Sequence, residues 1–231
     1  MEDFNINYPR TADQVAIAQN TLIRQVYAWM AGGLFVTALL AVFTISSPAM
    51  LNVIFGNRLV FYALILGELG LVVAISGAIN RLSSAAASGL FLLYAALNGV
   101  TMSAIFAVYT AESIGSTFVI TAATFGTMSI YGTVTKRDLS GWGSFLFMGL
   151  IGIVIASVVN IFTKSSAASW IISAIGVIVF TGLTAYDTWK IKAMAAGGAH
   201  GRKPAILGAL TLYLDFINLF LMLLRLLGNR R

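Results

Sequence analysis

Seven long apolar blocks, each close to the length of a bilayer-crossing helix, dominate this chain and restrict what it can fold into. A hydrocarbon core about 30 Å thick takes about 20 residues of α-helix. Segments near 22–46, 59–80, 86–109, 114–135, 143–163, 168–188 and 205–227 meet that requirement. Inside lipid no water satisfies the backbone, so runs of this length fold as helices whose N–H and C=O groups bond within the segment. Composition agrees: 59% of the 231 residues are hydrophobic and 10% are charged. A soluble domain carries roughly 25% charged residues and so keeps a polar surface. The expected architecture is an all-α integral membrane protein, with a polar N-terminal tail (1–20) and a seven-helix transmembrane domain (21–231).

The tail, MEDFNINYPRTADQVAIAQN, has no apolar core and does not read as a cleavable signal peptide. Sharp loop signals separate the blocks, notably Ser46-Ser47-Pro48 and the TKRDLS segment at 135–140. With the N-terminus in the cytoplasm, nine Lys and Arg residues fall inside and five outside, from Arg10, Arg24 and Arg81 to Arg202 and Lys203 on the inner side. An excess of basic residues marks cytoplasmic loops, so this orientation is expected. The formal net charge of +6 is explained by these loop residues and implies no nucleic-acid partner.

Several kinds of chemistry are excluded. The chain has no cysteine, which removes disulfides, thiolate metal sites and thiol nucleophiles. Its single histidine, His200, lies in a Gly-rich segment, so neither an HExxH metalloprotease nor a Ser–His dyad is available. No P-loop signature is present, and the five lysines are placed in loops, leaving no anchor for a retinal Schiff base. No enzyme activity and no organic cofactor are expected.

Attention therefore falls on the eight acidic residues. Glu2, Asp3, Asp13, Glu112 and Asp138 belong to tails and loops, whereas Glu68, Asp187 and Asp215 sit in or at the edge of apolar spans. An ionised carboxylate at the bilayer centre costs about 2.5–3.5 kcal/mol on insertion scales, so such groups face protein or a water-filled cavity. Around Asp215, the positions Gly208, Thr211, Asp215, Asn218, Met222 and Arg225 recur at steps of three and four and share one helix face. That face is read either as an interhelical hydrogen-bond seam or as the wall of an ion or proton path. Asp187 closes the sixth span beside Tyr186 and Trp189, with Lys190 three residues on. It is either an interfacial acid paired with Lys190 or part of a site with Asp215. Arg81 ends the second span, on the side where Asp187 ends the sixth; it meets the aspartates there or snorkels to the interface. Glu68, flanked by Gly67 and Gly70, is open to three roles: cation ligand, proton holder or neutral hydrogen-bonding acid. Asn98 and Asn160 are expected to bond between helices.

The motifs GLTAYDT (182–188) and ALTLYLDFINLF (209–220), with the Leu-Leu-Arg ending at 223–225, closely resemble the Bax-inhibitor (transmembrane Bax-inhibitor motif) family. GSTFV at 115–119, Tyr131-Gly132 and TKRDLS at 135–140 match as well, and the likeness is to the bacterial inner-membrane branch. The resemblance implies six helices, in two layers of three, wrapped around a central C-terminal helix. It implies a pH-sensitive calcium leak governed by an aspartate pair, which falls on Asp187 and Asp215. It also implies an arginine partner, placed at Arg81, and an acid in the second span, placed at Glu68. On this reading Asp187 and Asp215 share a proton, because two adjacent carboxylates in a poorly solvated place do not both ionise cheaply. The same oxygens suit calcium, and Glu68, Asn218 and Thr211 are candidates for the path. The partners are then the lipid bilayer, calcium and protons. Two other readings stand open: a non-transporting modulator of membrane-protein quality control or stress survival, acting by contact with membrane proteins, and a proton-coupled transporter.

Overall fold

The computed structural model describes residues 11–231. Nine helices make up nearly all of that region: α1 (Ala12–Ile45), α2 (Pro48–Phe55), α3 (Arg58–Ala78), α4 (Ser84–Met102), α5 (Ala104–Val108), α6 (Ala111–Val134), α7 (Ser140–Thr163), α8 (Ser166–Ala196) and α9 (Arg202–Leu227). Seven spans are long and apolar enough to cross a membrane, α4 and α5 together forming the third. The protein is an all-α membrane protein.

Polar residues set where the helices begin. Thr11, Ser47, Asn57, Ser83, Thr110 and Ser165 each accept a hydrogen bond from a first-turn N–H, satisfying a donor that helix geometry leaves free. At α7 the same service comes from outside the helix, where Asp138 Oδ1 accepts from the Ser140 N–H at 2.8 Å. Hydrogen bonds from Ser140 hold the loop carboxylate of Asp138 below its ordinary range.

Two helices are longer than a bilayer crossing requires and extend at the end of the bundle where the N-terminus lies. Segment 1–20, read from sequence as a polar tail, is helical from Ala12, where Thr11 and Gln14 form a capping box; residues 1–10 of that tail, Arg10 among them, lie outside the described residues. The sixth span continues to Ala196, beyond the expected end near 188. These helices have 34 and 31 residues, so at about 1.5 Å per residue each exceeds the hydrocarbon thickness by more than 10 Å. Their projecting parts brace each other through Gln19 Nε2, which donates to the Lys192 carbonyl at 3.4 Å. Lys190 and Lys192 thus stand on a helix rather than in a loop, and Lys192 Nζ closes the last turn of α6 by donating to Thr133 O at 2.6 Å. The short helix α2 has no counterpart in the sequence reading; Pro48 at its first turn allows it to start immediately after the Ser46-Ser47 stop.

Burial is distributed unevenly. In α9, 72% of the membrane window is buried, against 6% in α3 and 11% in α7. A helix that is apolar nearly all round needs neighbours on every side, and α9 finds them in α8, α1, α6 and α4, with slight contact from α3. Phe216 lies between Phe118 and Phe125 of α6, each 5.4 Å away by ring centroid. Tyr213 packs edge-on against Phe91 and Tyr94 of α4. By contrast α7 rests chiefly on α8, and its outer face, including Trp142, Phe145 and Ile155, is exposed.

Glycine decides how closely some of these helices meet. A side chain at Gly132 in α6 would run into the Ala185 carbonyl and Thr188 of α8, whereas Gly152 in α7 faces open space. Gly132→Leu is expected to lower stability by about 1–3 kcal/mol through overpacking, and Gly152→Leu to leave it unchanged. Thermal melting of the two variants in detergent checks this; equal melting curves would refute the α6–α8 contact.

Candidate functional site

The polar face of α9 is turned toward α8 over most of its length. Gly208 packs against Val26 of α1 and Ile191 of α8, and Met222 against Gly176 of α8. Between these apolar contacts a cavity of about 490 Å³ opens among α7, α8 and α9. Asp187, Lys190, Thr211, Asp215 and Asn218 line it, with Ser140 and Ser144 on the α7 side and Phe147, Leu150, Phe180, Leu183 and Leu214 as apolar wall. Arg225, the last member of the sequence stripe, is exposed at the far end.

Thr211 and Asn218 of the stripe spend their donors within α9 rather than across to another helix. Thr211 Oγ1 donates to Leu207 O at 3.1 Å, and Asn218 Nδ2 to Leu214 O at 2.8 Å, both one turn back on α9 itself. Asp215 is 5% exposed, and its Oδ2 has no hydrogen-bond donor. The Asp187 carboxyl lies within hydrogen-bonding reach of Asp215, a reach that two carboxyls can use only when one of them carries a proton. Lys190 lies one turn along α8, with its Nζ 5.8 Å from the centroid of the Tyr186 ring.

Arg81 and Glu68 lie elsewhere. Arg81 is exposed just beyond α3 and does not line the cavity. The reason is topological: α3 packs on α4 and α2 rather than against α8, so its end emerges away from Asp187.

Glu68 belongs to a second polar network. Its carboxylate accepts from Thr101 Oγ1 and, at 3.2 Å, from Asn98 Nδ2. Asn98 Oδ1 accepts from Tyr213 OH at 3.0 Å, and Tyr213 OH in turn lies 2.6 Å from Thr37 Oγ1. Four helices, α3, α4, α9 and α1, are joined by this chain of bonds. Tyr213 and Asp215 are two residues apart, so they leave α9 in nearly opposite directions. The two networks therefore occupy opposite sides of one helix. Asn160, like Asn98, does bond between helices, donating to Ser169 Oγ of α8 at 2.7 Å.

The sequence reading missed Tyr213. Its signal was a tyrosine in mid-span, far from the interfacial belts, whose hydroxyl must find a partner when buried. Tyr213→Phe should lower stability by about 1–3 kcal/mol, because Asn98 Oδ1 then loses its donor in a dry place. Comparing melting temperatures in detergent tests this, and an unchanged value would show the network to be dispensable.

The donors in the cavity suit a hydrated cation better than a stripped one. Calcium takes six to eight oxygen ligands, while no group of three or more His, Cys, Asp or Glu side chains comes together among the described residues. Two carboxylates, a few hydroxyls and one amide would leave most of the ion's shell as water.

Comparison with known proteins agrees with the motifs. The model of the family described as inhibitor of apoptosis-promoting Bax1 matches residues 19–231. The inner membrane protein YbhL of Escherichia coli K12 is 56% identical over 216 residues, covering 91% of this chain and 92% of its own. An uncharacterized protein of Borreliella burgdorferi is 49% identical over 94% of this chain and 96% of its own, and one of Deinococcus radiodurans is 42% identical over 100% and 98%. With the motifs, the seven spans and these matches in agreement, the chain belongs to the Bax1-inhibitor family.

Proposed function

We propose that this chain is a pH-sensitive calcium leak of the inner membrane, gated by the Asp187–Asp215 pair. The observation that carries this reading is the position of the pair: two carboxyls within hydrogen-bonding reach, one of them deeply buried, on the wall of a cavity between membrane-spanning helices. The name of the similar Escherichia coli protein and the apolar spans support the inner membrane as the location, and the distribution of basic residues supports a cytoplasmic N-terminus.

The mechanism follows from charge. With one proton between them, the carboxyls carry one negative charge and tie α8 to α9. Without it, two like charges face each other where solvent screens them poorly, and the contact becomes repulsive. The helices then separate along the seam that the pair holds, unless a cation enters between the carboxylates. Proton and calcium thus compete for the same oxygens. Thr211 and Asn218, whose donors are committed to the α9 backbone, leave oxygens for a hydrated ion moving past them. Glu68 stands outside this site, and its part is to hold α3 against α4.

Calcium entry into liposomes carrying the purified full chain, followed from pH 6 to pH 8, tests the proposal. The native protein should show a leak that changes across this range. Asp215→Asn and Asp187→Asn should each flatten the pH profile, because an amide cannot exchange the proton. A native leak whose pH profile is the same in both variants would sink the aspartate gate, and no leak above empty liposomes would sink the channel.

A further inference from the structure

The cavity holds a charge that the aspartate gate does not use. Lys190 lines it together with both carboxyls, one turn beyond Asp187 on α8. The position of its ammonium is set from α7. Tyr186 lies so close against Gly143 that any side chain there would strike its ring, and the Lys190 ammonium sits over that ring at 5.8 Å. Cation–π attraction holds a lysine over an aromatic face in this way. The polar and charged groups facing the pair can be named element by element. From α8 there is Lys190, whose charge acts on Asp187. From α9 there are Thr211 and Asn218, and from α7 Ser140 and Ser144, all neutral.

Counting charge then separates cations by valence. Two ionised aspartates carry two negative charges, and Lys190 returns one positive charge. With both aspartates ionised the cavity therefore carries one net negative charge, against two for the pair alone, so Lys190 weakens its hold on a divalent ion more than on a monovalent one. We infer that Lys190 sets the cation selectivity of the cavity: its tethered ammonium takes the place of one positive charge and so holds back divalent ions relative to monovalent ones. Each approaching charge feels the ammonium once per unit of its own charge, so calcium is opposed twice as strongly as potassium. This inference rests on the reading of the Asp187–Asp215 cavity as the ion path.

The test measures calcium and potassium fluxes side by side, using liposomes carrying the native full-length chain, Lys190→Met, Lys190→Arg or Asp215→Asn. Methionine keeps an apolar stem beside Tyr186 and removes the charge; arginine keeps the charge. The ratio of calcium to potassium flux should rise about fivefold in Lys190→Met, as expected for removing one charge a few ångströms from the path on a side chain that is itself exposed. It should stay at the native value in Lys190→Arg. A lysine with a purely structural role would change both fluxes together, so an unchanged ratio in Lys190→Met overturns the inference, as does a raised ratio in Lys190→Arg. If Asp215→Asn alters flux in the same experiment, that failure belongs to Lys190 alone. If Asp215→Asn matches the native chain in both ions, or the native chain passes neither, the ion-path reading fails and this inference fails with it.

Discussion

Asp215 is 5% exposed in a span whose other side chains are mostly Leu, Ile and Phe, and an acid buried in such a span needs partners from the protein. Much of the architecture follows from meeting this one demand. The helix bearing the acid cannot face lipid on that side, so α8 covers it. The covering helix must bring a partner, and Asp187 is that partner. The remaining side-chain donors on the face are satisfied within α9, where Thr211 and Asn218 bond one turn back. Four neighbours then surround the helix, and α9 becomes the most buried element of the fold.

The opposite side of α9 answers the same demand in a different way. Tyr213, Asn98, Thr37, Glu68 and Thr101 form a connected set in which the amide of Asn98 is used at both ends. A network of this kind is rigid when complete and costly when one member is lost. The Asp187–Asp215 side is open instead, with a buried oxygen lacking a donor and a cavity beside it. One helix thus carries a finished polar network that fixes it to α1, α3 and α4, and an unfinished one toward α7 and α8. Chemistry that depends on a proton or an ion arriving belongs on the unfinished side, while the finished side supplies a fixed reference.

The weak packing of α7 fits this division. It rests mainly on α8 through small contacts, such as Gly143 beneath Tyr186 and Gly182 beneath Leu146. The cavity exists because α7 and α9 stand apart with α8 between them. α7 is thus the wall of the cavity with the least support from the rest of the bundle, whereas α9 is held by four neighbours.

Apolar runs about 20 residues long leave the backbone no choice but helix, so the seven spans could be read from sequence, as could the polar face of α9 from the spacing of Thr211, Asp215 and Asn218. The three intramembrane acids stood out because so few acids occur at all. Spacing alone could not say which of them meet; the family resemblance paired Asp187 with Asp215 and set Glu68 apart, and in the structure those two come together while α3 packs on α4 and α2 rather than on α8. Arg81 was placed near Asp187 because both end spans on one side of the membrane, but sharing a side does not fix position around the bundle axis. The continuation of α8 past residue 188 did not show in the hydropathy pattern, because Lys190 and Lys192 interrupt the apolar run and contacts with α1 hold those turns. Sequence periodicity and burial cost determined the helices and their polar faces by themselves; which faces meet depended on contacts between residues far apart in the chain, and only the tertiary structure decided that.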